Sequence, residues 1–425
     1  MEVEEYSLKD LLSHIVDNRG KTCPTAETGT ALIATNCIKD DQLYPVFENV
    51  RWVDSETMET WFRGHPEPGD ILFVLKGSPG RCCLVPDPIN FCIAQDMLAI
   101  RADESKVSQK FLFALLRSSI VRNAIDNLHV GTMIPHFKKG DFGKLKFQIP
   151  KSRKVQEWVG DQYFILSDKI ELNRRMNATL EGMANALFKS WFVDFDPVID
   201  NALAAGNPIP DELADRAEVR RQALKIHSSQ LTPHHSLFPA AFQLTESMGW
   251  IPDGWEEKKI EDCISRFSAG QKYSQTTAED VGRVPILDQG KSGVIGYHND
   301  EPGVKASTDD PIIVFANHTC YMRLIQFDFS AIQNVLPFKG NGLNIYWIYE
   351  ATKGRQDFNE YKGHWPDFVL NRIVVPSIDL VAAFGEAVET YYRKIYANSL
   401  ESEGLTKLRD TLLPKLISGE LSTNS

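Results

Sequence analysis

No stretch of this chain approaches 18 uninterrupted apolar residues, so no membrane-spanning helix is expected. The opening residues MEVEEYSLKD are acidic and lack an apolar run, which argues against a secretory signal there. Cysteine is sparse and irregular, seven in 425 residues with no CxxC. That usage suits a reducing cytoplasm, and a zinc site around Cys82, Cys83 and Cys92 lacks the paired spacing of zinc ligands. Positive charge is also short, with 46 basic against 57 acidic side chains and a net charge of −11. This excludes a generic nucleic-acid coat, which needs a strong positive field. A site-specific reader stays open, because residues 1–150 carry 17 basic and 20 acidic groups and are near neutral. A phosphate loop of the form GxxxxGK[ST] is missing as well.

What is present is a long seam. Val159, Tyr163, Leu166, Ile170, Asn173, Asn177, Leu180, Ala184, Leu187 and Trp191 alternate at four and three residues. A 3.5-residue repeat held this long marks a helix that buries one narrow stripe against another helix. At an offset of 225 the seam recurs as Phe384, Val388, Tyr391, Ile395, Asn398, Ser402, Leu405, Leu412 and Leu416, with Leu408 one residue off beside Arg409. Ser152 and Ser377 offer N-cap oxygens at the two starts. Two helices of one register imply an internal duplication. Paired antiparallel about the centre of the first seam, Asn173 meets Ser402 and Asn177 meets Asn398. Such a polar layer penalises slipped registers, so these four residues are assigned to helix register. Each helix of about 60 Å, at 1.5 Å per residue, describes a rod with something at each end.

Residues 1–150 read as mixed α/β. The pattern predicts a helix over Ser7–Val16, a strand ILFVLK after Gly69-Asp70, strands CCLV and NFCIAQDMLAI, and one helix over 108–128. Between the two strands of the first pair lies the loop Gly77-Ser78-Pro79-Gly80-Arg81. Residues 197–250 read as a linker in which Pro197, Pro208 and Pro210 break the long helix and Asp211–Ile226 forms a charged helical piece. His234-His235 in a Pro-rich stretch is more simply solvated than metal-binding. The first module returns after Glu256. Ile260–Ser265 matches Leu8–Ser13 at an offset of 252, Asp310–Val314 parallels Asp70–Val74, and Ile332–Leu336 parallels Ala94–Leu98. Trp365–Phe368 is placed opposite Ile134–Phe137. The expected fold is α+β, with two α/β domains separated by a long antiparallel two-helix coiled coil in pseudo-two-fold duplication. The divisions fall at 1–150, 151–196, 197–250, 251–376 and 377–425.

This order of parts resembles the DNA-specificity subunit of Type I restriction–modification enzymes. ELNRRMNATLEGMANALFKSWFVDFDPV (171–198) looks like that family's central region and SLFPAAFQLTESMGWIPDGWE (236–256) like the lead-in to its second target-recognition domain. LRDTLLPKLISGEL (408–421) looks like its C-terminal helix end. The resemblance covers essentially the whole chain. It implies a non-catalytic subunit whose two domains each read half of a bipartite double-stranded DNA target. It further implies two modification subunits, each binding S-adenosylmethionine and methylating adenine, gripping the helices, and motor-nuclease subunits joining for restriction. The chain itself lacks Asn-Pro-Pro-Tyr/Phe and a Gly-rich S-adenosylmethionine loop. Asp288-Gln289-Gly290-Lys291 resembles a nuclease end only faintly, without a partner carboxylate. A coiled-coil scaffold that binds proteins is the reading from another class.

Base edges are read by Arg, Lys, Asn, Gln and Ser/Thr, while phosphates take Lys, Ser and backbone N–H groups. The loop with Lys76, Ser78 and Arg81 offers these on one turn, and its plainer reading is a solvated hairpin. Lys138, Lys139, Lys144 and Lys146 alternate with Phe137, Phe142, Leu145 and Phe147, giving either a DNA-facing cationic ridge or an exposed basic face. In the second module the candidates are Asn317, His318, Arg323, Lys339 and Asn341. Its stretch NHTCYMR lacks glycine, so a differently shaped loop is expected.

Overall fold

The structure, a computed structural model, describes residues 2–18, 20–128, 136–226, 234–290 and 293–421. It divides into two units, Met1–Arg175 with Asn398–Ser425, and Met176–Ala397.

The first unit begins with strand β1 (Val3–Ser7). Ser7 then forms a capping box, its hydroxyl accepting from Asp10 N at 3.3 Å while the Asp10 carboxylate accepts from Ser7 N at 3.2 Å. The box supports only one 3-10 turn, Leu8–Leu11, and the expected helix to Val16 does not form. Leu12–Val16 is strand β2 instead, where the β-branched Ile15 and Val16 pair with Ile100 and Ala99. Strands β3 (Thr30–Ile33) and β4 (Arg51–Val53), helix α1 (Ser55–Thr60), and strands β5 (Ile71–Val74) and β6 (Cys82–Leu84) follow. NFCIAQDMLAI, expected as one strand, is split by Asp96 in the left-handed region (φ 74°) into β7 (Phe91–Ile93) and β8 (Met97–Ala102). The two halves join different sheets, β4-β3-β7 and β2-β8-β5-β6. Central β5 alternates, with Ile71 and Phe73 in one core and Leu72 and Val74 in another, so all four residues are buried.

The helix expected over 108–128 is two, α2 (Gln109–Arg117) and α3 (Ser119–Asn127). Ser118 between them is extended and its hydroxyl donates to Leu115 O at 2.6 Å, ending the first helix locally. Strand β9 (Lys146–Pro150) pairs with β1, and helix α4 (Arg153–Phe192) follows as one 40-residue helix. In the first unit its Val159 and Tyr163 share a core with Phe111, Phe113, Leu413, Leu416 and Ile417.

In the second unit α4 ends at Phe192, before Pro197 rather than because of it. Phe195 turns left-handed (φ 57°), and Pro197 sits in the first turn of α5 (Asp196–Ala205), where a missing N–H costs nothing. Helix α6 (Ala214–Ile226) lies against α5 through two buried acids. Arg216 Nε donates to Asp196 at 2.6 Å and Arg220 Nε to Asp200 at 2.8 Å. Much of the expected linker is therefore a helical hairpin whose Val198, Ile199 and Ala202 are buried. Next come β10 (Phe242–Thr245), β11 (Gly249–Pro252), β12 (Glu256–Lys259), α7 (Ile260–Cys263), β13 (Ile264–Arg266) and β14 (Lys272–Tyr273). Then follow β15 (Val284–Leu287), β16 (Val294–His298), β17 (Ile312–Ala316), β18 (Met322–Ile325), β19 (Ser330–Ile332) and β20 (Val335–Gly340). The unit closes with α8 (Ile345–Thr352), α9 (Trp365–Leu370), β21 (Arg372–Val375) and the start of α10 (Ile378–Ser418).

The two units repeat one plan. The sheet β13-β20-β17-β18 matches β2-β8-β5-β6, the ribbon β12-β21 matches β1-β9, and the parallel pair β15-β19 matches β3-β7. Single hydrogen bonds recur too. Leu8 N to Leu145 O (2.8 Å) returns as Ile260 N to Asn371 O (2.9 Å), and Leu75 N to Asp96 O as Asn317 N to Asn334 O, both 2.8 Å. Asn334 repeats the left-handed turn of Asp96, at φ 68°. The offset thus runs from 252 through 242 and 238 to 226, and two sequence pairings are corrected. Ile313, not Pro311, is the counterpart of Ile71. Phe368 stands where Phe142 does, each against the β-strand phenylalanine Phe315 or Phe73. Ile134 and Pro135 lie outside the described residues.

The helix seam is antiparallel within each unit. In the first, Asn173 Nδ2 donates to Glu401 (2.8 Å), to Ser402 Oγ (3.3 Å) and to Asn398 O (3.4 Å). The seam continues through Arg409 and not Leu408. Arg409 is 7% exposed, its guanidinium over the Tyr163 ring (5.4 Å) and bonded to Ser167 Oγ, whereas Leu408 is 47% exposed. In the second unit Asn177 Nδ2 donates to Ile395 O at 3.3 Å, and Phe188 meets Phe384. The aromatic helix end packs on its own unit, with Phe192 against Trp255 and Trp347 and Trp191 against Phe238.

Candidate nucleic-acid interface

In the first unit the candidate loop is the β5–β6 hairpin. Val74 N donates to Arg81 O (2.9 Å) and Gly80 N to Val74 O (3.0 Å), closing a six-residue turn. Gly77 (φ 86°) and Gly80 (φ 90°) supply the left-handed backbone, and a Cβ at Gly80 would lie 2.8 Å from Ile125 Cδ1. The basic stretch docks on the rim of this hairpin. Phe137 N donates to Leu75 O at 2.8 Å, and His136 bridges Lys76. Lys76, Lys138 and Lys139 are thereby brought to one rim, a juxtaposition that their separation in sequence hides.

The four lysines do not form one uniform ridge. Lys139 pairs with Asp17 (3.2 Å), Lys144 with Asp141 (2.7 Å) and Lys146 with Glu5 (3.0 Å) across the β1–β9 ribbon. The Lys144 ammonium holds the Asp141 carboxyl below the usual range. Phe137, Phe142, Leu145 and Phe147 do point inward and are buried. Arg81 Nε lies 3.5 Å from Asp40, a carboxylate shared with Arg122 at 3.4 Å. Ser78 is half-buried and its carbonyl accepts from Arg81 N.

Sequence reasoning passed over Arg117. This guanidinium donates to the Lys39, Asp40, Gln42 and Cys82 carbonyls and, through Nε, to Tyr163 Oη at 3.1 Å. It ties the 39–42 segment and the β6 edge of the hairpin to α4. Its only sequence signal is a lone cation closing the apolar run FLFALLR.

In the second unit the hairpin is two residues shorter. Ala316 N donates to Tyr321 O at 2.8 Å, and Cys320 takes the left-handed position (φ 57°) that glycines fill in the first. Asn317 is structural, its Oδ1 accepting from Trp365 N (2.8 Å) and its carbonyl from His364 N (2.8 Å). Arg323 is mostly buried, donates to Asp288 O at 2.7 Å and lies over the Tyr321 ring. Burial lowers its pKa. Lys339 pairs with Asp310 (2.6 Å), and Arg101, its counterpart on β8, pairs with the buried Asp70 (2.7 Å). Lys339 lies near the far end of β20 from the hairpin and Asn341 just beyond it, roughly 13 Å and 20 Å of extended chain past Val335. The predicted set therefore does not share one surface, and only His318 is placed at the tip, its ring against Tyr361 at 5.0 Å.

Among the described residues no helix is long and apolar enough to cross a membrane, and no group of three His, Cys, Asp or Glu is placed to hold a metal. All seven cysteines are free, with Cys82, Cys83 and Cys92 buried in the apolar interior, and burial pushes the Cys82 and Cys92 thiols up to about 12.

Two duplicated modules, each with its own hairpin over one sheet plan and a share of two long helices, define a class of tandem-module protein. Comparison with known proteins narrows that class. The sequence model of the Type I restriction modification DNA specificity domain matches residues 2–182. The chain is 26% identical over 413 residues to the HindI specificity subunit of Haemophilus influenzae, covering 83% of this chain and 86% of that one. It is 22% identical over 366 residues to the MjaIX specificity subunit of Methanocaldococcus jannaschii, covering 83% and 78%. The crystal structure of a Type I S subunit from M. genitalium shares the fold, with a TM-score of 0.53 at 15% identity over 98% of this chain and 96% of that one. Residues 2–182 thus match a Type I restriction modification DNA specificity domain, and over most of its length the chain is similar to Type I specificity subunits.

Proposed function

We propose that this chain is the DNA-sequence specificity subunit of a Type I restriction–modification complex. Each module reads one half of a bipartite duplex target, and the two long helices set the gap between the halves and dock the methyltransferase subunits. The observation that carries this is the repetition of one sheet framework under two different hairpins, within a chain similar to Type I specificity subunits. A common frame with divergent tips suits recognition of two different short sequences at a fixed distance. The subunit performs no chemistry itself. Two modification subunits supply S-adenosylmethionine and methylate adenine, and motor-nuclease subunits join for restriction.

The test is gel retardation of a randomised duplex library by the chain together with its modification subunits. Enrichment of a two-part consensus with an unread gap is expected. Binding with no preference among duplexes would instead favour a protein-interaction scaffold.

A further inference from the structure

We propose that the second module reads its half-site through an exposed aromatic pair, Tyr361 and Phe358, with the Tyr361 ring pressed against a base step. This rests on the specificity reading above. Two polar groups that could read bases at the second hairpin are engaged inside the unit. Asn317 holds Trp365 and His364, and Arg323, just beyond the turn, holds Asp288. What stands at the tip beside His318 is the loop before α9. Tyr361 is 83% exposed and packs edge-on to His318, while Phe358 is 55% exposed and stands edge-on to His364 at 5.9 Å.

The loop is held rigid where it bears these rings. His364 Nε2 is 3.0 Å from Glu360 O, Lys362 N donates to Glu360 O (2.9 Å), and Lys362 Nζ bridges Glu360 and Asp367 at 3.2 Å each. Gly363 lies so close to the Asn317 amide that a Cβ there would sit 2.8 Å from Nδ2. A rigid, solvent-facing aromatic pair presents apolar contact area with little ordering cost on binding. Lys362 offsets the Glu360 and Asp367 carboxylates, so the rings are what the loop presents to a base step. Aromatic side chains stack on bases irrespective of base identity, and wedging a ring into a step selects steps that deform cheaply. The second half-site is thus selected in part by deformability.

The test uses the assembled complex with modification subunits and a duplex library randomised across both half-sites. Tyr361→Ala is expected to reduce discrimination about tenfold in one half-site and leave the other unchanged, while Tyr361→Phe keeps both, since the ring and not the hydroxyl makes the contact. Unchanged discrimination in Tyr361→Ala, equal loss in both halves, or equal loss in Tyr361→Phe would each overturn the inference. A wild-type complex without sequence preference would overturn the specificity reading itself, so the two failures are distinguishable.

Discussion

The hairpins of the two units start from the same hydrogen bond and end differently. After Val74 the first unit spends six residues, two of them left-handed glycines, and leaves Lys76 exposed on a rim shared with Lys138. After Ala316 the second unit turns in four residues through Cys320 and binds its own polar side chains inward. The sheet beneath is the same in strand order and in its left-handed turn at Asp96 or Asn334. A framework built from alternating buried residues tolerates change only at its rims, so divergence collects there. The seam shows a parallel contrast. The share in the first unit is polar at Asn173, Ser167 and Arg409, whereas the share in the second is packed with Ala184, Phe188, Trp191, Phe384 and Val388.

The largest effect expected from breaking this comparison is at Arg117. Arg117→Met strands four carbonyls and the Tyr163 hydroxyl of the first unit, at a cost of about 3 kcal/mol or more. Urea unfolding should resolve an early transition for the first unit. A single unshifted transition would show that the guanidinium is dispensable. Next come the arginines of the hairpins. Arg81→Ala, at a rim ion pair, should leave the melting temperature nearly unchanged and weaken binding to one half-site by about 1–3 kcal/mol. Arg323→Ala should instead lower thermal stability, because it removes a mostly buried guanidinium together with its hydrogen bond to the Asp288 carbonyl and its packing on Tyr321. If both variants melt like wild type, the two hairpins use their arginines alike.

A smaller effect separates the turns themselves. Gly80→Ala forces a Cβ into a left-handed position and toward Ile125, costing about 1–2 kcal/mol by calorimetry. Cys320→Gly relieves a comparable strain while loosening the unfolded chain, so it should change stability by no more than about 0.5 kcal/mol. The smallest effect concerns the seam. Asn173 Oδ1 is buried without a hydrogen-bond partner, so Asn173→Leu with Ser402→Leu should be neutral or raise stability by about 1 kcal/mol. A loss above about 2 kcal/mol would remove the pair from the role of register device.

Some of this was legible in the residues alone. The 3.5-residue spacing from Val159 to Trp191 and its repeat at 225 announced two long helices, since periodicity follows directly from helix geometry. The inward side of the basic stretch was equally readable, because Phe137, Phe142, Leu145 and Phe147 are apolar at spacings that a buried face requires. Tertiary structure decided the rest. Leu12–Val16 became a strand because β8 was there to pair with it, and Asp96 split one apolar run between two sheets. Arg323 and Asn317 look like readers in sequence but are consumed by Asp288 and Trp365, partners 35 and 48 residues away. Local pattern records which face a side chain turns to its own element. Whether a polar group is left for a ligand depends on which distant donors and acceptors reach it first, and only the folded chain sets that.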